Sequence, residues 1–187
     1  MKKLRTLVII LSVLAAVSLA CNLGRRTATP EPTVAVSTEA VESLEEAVEE
    51  AFEEAQQTGT IDLEITESQL TSVVAAELEK SGSESIADPQ IRLDDGQIQI
   101  TVQVKATGIS AQAKMIMEVS IDGAGRPVFE VVSAGIGPIP LPADLVSEIE
   151  ARINRAFQEQ IDDAAPEMFI ESIVIEGGSM RITGRTE

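Results

Sequence analysis

Asp94-Asp95-Gly96-Gln97-Ile98-Gln99-Ile100-Thr101-Val102-Gln103-Val104-Lys105 is the stretch whose reading decides the fold. Ile98, Ile100, Val102 and Val104 point one way. Gln97, Gln99, Thr101, Gln103 and Lys105 point the other. A period of two marks a strand with one apolar face. The Asp-Asp-Gly ahead of it wants φ > 0 and reads as a tight hairpin turn. The strand before that turn opens at Pro89 and carries Ile91 and Leu93.

The pattern continues beyond Gly108. Ile109, Ala111, Ala113, Met115, Met117, Val119 and Ile121 alternate with Ser110, Gln112, Lys114, Glu118 and Ser120. Asp122-Gly123-Ala124-Gly125 turns the chain, and Val128 to Ala134 returns. Long alternating strands joined by tight turns give an antiparallel meander with one apolar face. Gly135-Ile136-Gly137-Pro138-Ile139-Pro140-Leu141-Pro142 then rules out a regular strand or helix interior.

Helices flank the meander. From Ala143 to about Ala164, Leu145, Ile149, Ile153, Phe157 and Ile161 recur every four residues, a core-facing stripe. Upstream, Gly59 ends a helix over 38–58 whose narrow stripe is Val41, Leu44, Val48, Phe52 and Ala55. Thr60 to Thr66 alternates as a strand. Thr66 or Ser68 caps a following helix to about Lys80, with Leu70, Val73, Val74 and Leu78 on one face. Two last strands, about Phe169 to Glu176 and Met180 to Thr183, meet at Gly177-Gly178. The order is β-α-ββββ-α-ββ, so the class is α+β. The expected architecture is one curved antiparallel sheet of about six to seven strands, wrapped on the long C-terminal helix and preceded by the acidic helix.

Residues 1–37 read differently. Met1-Lys2-Lys3-Leu4-Arg5 is a basic start, Thr6 to Val17 is apolar, and Ser18-Leu19-Ala20-Cys21 follows. This is a secretory signal pattern. The residues themselves leave three readings: a short transmembrane anchor, ordinary cleavage with a free thiol, or acylation. Val17-Ser18-Leu19-Ala20-Cys21 resembles the bacterial lipobox, with Ser18 where Leu is usual. That resemblance implies cleavage after Ala20 and a diacylglyceryl group on Cys21. Two acyl chains suffice for stable anchoring. The divisions expected are a signal at 1–20, a disordered tether at 21–37, the acidic helix at 38–58 and an α+β domain at 59–187. The anchor places the domain outside the cytoplasm, on a cell membrane or cell envelope.

Charge excludes several classes. The 187 residues hold 14 basic and 31 acidic ones and no His. Lys2, Lys3 and Arg5 leave with the signal, which takes the net charge from −17 to −20. Such a surface repels phosphate backbones, and with four Phe, no Tyr and no Trp there are no stacking platforms, so nucleic acid is excluded. The same repulsion opposes broad contact with anionic head groups. With one Cys and no His, no thiolate zinc site, His-based dyad or internal disulfide can form. The Glu run of 38–58 reads as a solvated face, because carboxylates on successive helix turns do not make a calcium cage. Asp94-Asp95 reads as a turn and Asp162-Asp163 as a helix end. No GxSxG, P-loop or dinucleotide fingerprint is present. The chain is therefore expected to be no enzyme, with no metal and no cofactor.

Ile65-Thr66-Glu67-Ser68-Gln69-Leu70, the Asp95–Ile100 hairpin, the Leu141-Pro142 entry to the long helix and the closing Ile170–Gly184 segment resemble the LmeA-like phospholipid-binding proteins. Those belong to the tubular lipid-binding (TULIP) superfamily. The resemblance covers about residues 60 to 185. It implies a sheet curled round a helix, with an apolar groove for acyl chains. Ala111, Ala113, Met115 and Met117 on the sheet and Leu145, Ile149, Ile153 and Phe157 on the helix are the candidate groove residues. Small Ala leaves room and Met adapts, although each of these residues also suits plain core packing. The expected ligand is a phospholipid or another acyl chain. The alternative is a structural or protein-interaction lipoprotein with a solid core.

Overall fold

The computed structural model describes residues 33–82, 84–106, 109–164 and 168–186. The signal, Cys21 and most of the expected tether lie outside them.

The first helix, α1 (Thr38–Thr58), is capped by Ser37, whose hydroxyl accepts from the Ala40 N–H, and ends at Gly59 with φ 75°. It leads into β1 (Thr60–Thr66) and α2 (Glu67–Lys80). Thr66 and Gln69 form a capping box at the start of α2. The meander follows as β2 (Ile86–Asp94), β3 (Gln97–Ala106), β4 (Ile109–Ile121) and β5 (Pro127–Ile136). A two-residue strand, β6 (Ile139–Pro140), then returns against Gly135 and Ile136. After it come α3 (Ala143–Ala164), β7 (Met168–Glu176) and β8 (Ser179–Thr186).

The expectation of one continuous sheet gives way to two. Strands β2-β3-β4-β5-β6 form an antiparallel five-stranded sheet, and β1-β8-β7 form a separate antiparallel sheet of three. Alternation in the sequence fixes which side chains share a face. It does not fix partners, and β1 pairs with β8 across almost the whole chain, Thr60 opposite Arg185 and Thr66 opposite Ser179. The segment 135–142 also differs from expectation. Gly137 turns with φ 55°, so Ile139 can pair back on Ile136.

The two apolar faces pack on each other. Ile91, Leu93, Ile98, Met117, Phe129 and Val131 of the larger sheet meet Ile65, Ile175 and Met180 of the smaller one. Backbone bonds pin the layers at their turns. The Gly96 N–H donates to the Ile175 carbonyl at 3.1 Å, and the Gly178 N–H donates to the Leu93 carbonyl at 3.0 Å. At the other corner the Ile170 N–H donates to the Gly125 carbonyl at 3.0 Å. Gly125 has φ 73°, and a Cβ there would sit 2.5 Å from the Phe169 ring, so only glycine fits this joint.

Helices seal the open edges of the five-stranded sheet. At the β2 edge, Thr71 Oγ1 accepts from the Ile91 N–H at 3.0 Å, and Glu67 Oε1 accepts from the Leu93 N–H at 2.8 Å. The other Glu67 oxygen holds Arg92 at 2.9 Å. At the β5 edge, Asn154 Oδ1 accepts from the Phe129 N–H and Glu150 Oε2 accepts from the Val131 N–H. In both places two helical side chains four residues apart serve alternate strand N–H groups. Unpaired strand edges invite association, and this arrangement blunts both. The long helix α3 therefore lies along β5 rather than inside a wrap of sheet.

The tether boundary shifts as well. Val34 is buried, and its N–H donates to Gln90 Oε1 at 2.7 Å. The Ser37 N–H donates to Ser72 Oγ, and the Ser68 hydroxyl donates to the Ala35 carbonyl. Residues 34–37 are thus docked on α2 and β2. Helix α1 packs on β1 and α2 with Ala51 and Ala55 buried, so it is a wall of the domain.

Candidate functional site

The space between the two sheets is not filled. A partly open cavity of about 410 Å³ lies there, and every described residue lining it is apolar. Strand periodicity explains the lining. Ile61, Leu63 and Ile65 are the inward residues of β1, and Met180 and Ile182 those of β8. Ile98 and Ile100 of β3, Met117 and Val119 of β4, and Pro127 and Phe129 of β5 face them. Ile91 of β2 and Met168, Ile170 and Ile173 of β7 complete the layers. Helices close the sides: Val48, Ala51 and Phe52 from α1, Leu70 and Val74 from α2, and Phe157 from α3.

Phe157 keeps 42% of its surface accessible, and its ring lies 4.5 Å from that of the buried Phe129. Among the described residues it is the one contribution of α3 to the wall.

Among the described residues the wall carries no titratable side chain and no side-chain hydrogen-bonding group. Polar groups sit at the perimeter and are already partnered; among the described residues no buried side-chain nitrogen or oxygen lacks a partner. Such a cavity can hold hydrocarbon and can orient nothing by hydrogen bonds. Its size exceeds ordinary packing defects.

The candidate groove residues divide. Met117 and Phe157 border the cavity. Met115 and Ile153 are half-buried against the core without reaching it. Ala111 and Ala113 lie farther along β4, opposite Val104 and Val102. Ile149 is half-buried on α3, and Leu145 near its start is 40% accessible. Most of the wall comes from α1, β1, β7 and β8, which the sequence did not mark, because alternation names a face without naming what it faces.

Charged groups lie outside the cavity. Arg181 clasps Asp62 through Nε at 2.8 Å and Nη2 at 2.9 Å, across β8 and β1. This hydrogen-bonded pairing, helped by the Arg181 charge, holds the Asp62 carboxyl below its ordinary value. Arg185 pairs with Glu171 and stacks on Phe169 at 4.3 Å. Among the described residues no acidic cluster has metal-site geometry, and no helix is long and apolar enough to cross a membrane. Asp94 and Asp95 are exposed at the hairpin turn.

In comparisons with known proteins, the chain matches no protein-family model and no curated sequence.

Proposed function

We infer that this chain is a lipid-anchored, extracytoplasmic protein that binds an acyl-chain ligand between its two sheets. The carrying observation is the all-apolar cavity of about 410 Å³. Size suggests the ligand class. A cavity of roughly 150 Å³ lined by apolar side chains takes one benzene. In proportion, this one takes roughly sixteen carbons, one long acyl chain with its head group at the opening. Burial would supply the affinity, at ~0.8 kcal/mol per methylene. No residue needs to do chemistry, so binding or transfer fits better than catalysis.

The anchor at Cys21 and the relation to LmeA-like, TULIP-type lipid binders belong to the same reading. They rest on the lipobox pattern and on the order of elements between about residues 60 and 185. The competing reading, an interaction protein with a solid core, is disfavoured by the unfilled apolar space between the sheets.

The test is native mass spectrometry of the purified chain, with titration of a naphthylamine-type dye. The expected result is one acyl-chain adduct per molecule and dye binding displaced by a sixteen-carbon fatty acid. A chain that carries no adduct and leaves the dye dark overturns the reading.

A further inference from the structure

The larger sheet is longer than the layer that covers it. Its inner face carries the core and cavity residues Ile98, Ile100, Met115 and Met117 at one end. The same face continues past the cavity. Cross-strand pairing places Ile86, Val104 and Ala111 in one row, and Val102, Ala113, Ile136 and Ile139 in another. Side chains opposite one another share a face. Exposure rises along it: Ile136 is 38% accessible, Ile139 68% and Ile109 69%. An apolar apron therefore extends out of the cavity and ends at Ile109 and Ile139.

Charge is distributed with the same geometry. The chain averages one acidic residue in every six, yet none occurs from Gly96 to Met117. That stretch holds Lys105 and Lys114, both exposed, on the outer side of the same strands. Residues 131–143 hold no charge at all. The acidic exceptions at this end are Glu84 and Asp88 around the start of β2 and Asp144 in the first turn of α3. A net charge of −17 describes the sum and hides this segregation. Anionic head groups are repelled by most of the molecule, but here they meet apolar side chains and lysines.

We propose that the far half of β3, β4, β5 and β6, led by Ile109 and Ile139, docks into the surface of a lipid bilayer. Two observations select a bilayer over a protein partner: the far halves of β3 to β6 hold Lys105 and Lys114 and no acid, and their exposed face is continuous with the cavity wall. Seated there, the apron gives an acyl chain an apolar path from the bilayer to the space between the sheets. The choice of a bilayer rests in part on the ligand reading of that cavity, while the contact of Ile109 and Ile139 with lipid is read independently of it.

The test uses the full chain reconstituted in vesicles of phosphatidylethanolamine and phosphatidylglycerol. Ile109→Cys and Ile139→Cys variants carry an environment-sensitive fluorophore, with Asp95→Cys at the opposite end as reference. The expected result is a blue shift at 109 and 139, quenching there by bromine-labelled lipid, and neither at 95. Lys105→Glu with Lys114→Glu should reverse the shift at 109. Probes at 109 and 139 as open to aqueous acrylamide as the one at 95 overturn the proposal. Probes shielded from acrylamide but unquenched by bromolipid also overturn it, since a protein then covers the face. Dye uptake by the same samples reports the cavity separately, so a wet apron with a working cavity, or the reverse, distinguishes the two readings.

Discussion

The carboxamide of Asn154 closes both free hydrogen-bonding groups of Phe129. Its Oδ1 accepts from the Phe129 N–H at 2.8 Å and its Nδ2 donates to the Phe129 carbonyl at 2.8 Å. A helical side chain thus takes the place of a neighbouring strand on the β5 edge. An amide suits the position because it sets an acceptor beside a donor group in one plane, and Nδ2 also donates to the Glu150 carbonyl at 3.0 Å.

Asn154→Ala leaves that donor and acceptor unpaired. We expect a loss of about 1–3 kcal/mol, read as a lower urea midpoint. Asn154→Asp keeps the bond to the N–H and opposes the carbonyl, so it should also lose stability. Size-exclusion chromatography should show self-association rising with the bare edge. A midpoint unchanged in both variants would mean the carboxamide is not sealing the strand.

Leu93 and Leu63 should respond differently to truncation. Leu93 is wholly buried and does not border the cavity, so Leu93→Ala opens a new void and should cost about 3–5 kcal/mol. Leu63 borders space that already exists. Without ligand, Leu63→Ala should lose little beyond the transfer term, about 2 kcal/mol or less. Equal costs in urea melts would mean the cavity closes in solution.

Much of this architecture is legible in the residues, and the gaps have physical causes. The alternation of 97–105 and 109–121, the Asp95-Gly96 turn, Gly59 and the Thr66 cap are local signals, and the elements follow them. Partner choice is not local. Nothing in Thr60–Thr66 announces pairing with Ser179–Arg185, so the split into two sheets was hidden. The edge seals were hidden for another reason. On α2 the most buried residues are Thr71 and Ser72, ahead of its apolar stripe. Glu67, Glu150 and Asn154 look like solvated helix residues until a strand edge arrives to use them. The cavity wall needs both kinds of information, which is why only Met117 and Phe157 of the groove residues border it.

The Asp62–Arg181 clasp predicts a pH response. Hydrogen bonding to Arg181 lowers the folded-state pKa of Asp62 below 3.8. A depressed carboxyl stabilises the fold above its unfolded value, and that contribution is lost as pH falls through the folded value. Carboxyl-carbon NMR titration should show Asp62 titrating more acid than an ordinary aspartate. Arg181→Lys removes the fork geometry and should bring it back toward 3.8. An ordinary titration in the unaltered chain would contradict the clasp.

Cys21, outside the described residues, carries a direct test. In a bacterial host the chain should incorporate labelled palmitate and fractionate with membranes. Cys21→Ser should incorporate none, because a hydroxyl does not accept the thioether-linked lipid. Labelling of the variant at the level of the unaltered chain would remove the anchor from the proposed function.

Ile100 offers the sharpest separation of a ligand cavity from a solid core. It lines the space from the middle of β3, so Ile100→Trp should project a larger apolar side chain into it. With room available, the variant should gain stability in the delipidated state, by about 0.5–2 kcal/mol. The same side chain occupies volume the ligand needs, so dye and fatty-acid affinity should fall by at least ~10-fold, about 1.4 kcal/mol. A filled core responds with the opposite sign, since overpacking costs about 1–3 kcal/mol. Urea melts and dye titrations on the same preparation therefore decide between the readings. Stability rising as binding falls supports a cavity that exists to be filled, and stability falling with no dye bound before or after the substitution supports an interior already complete.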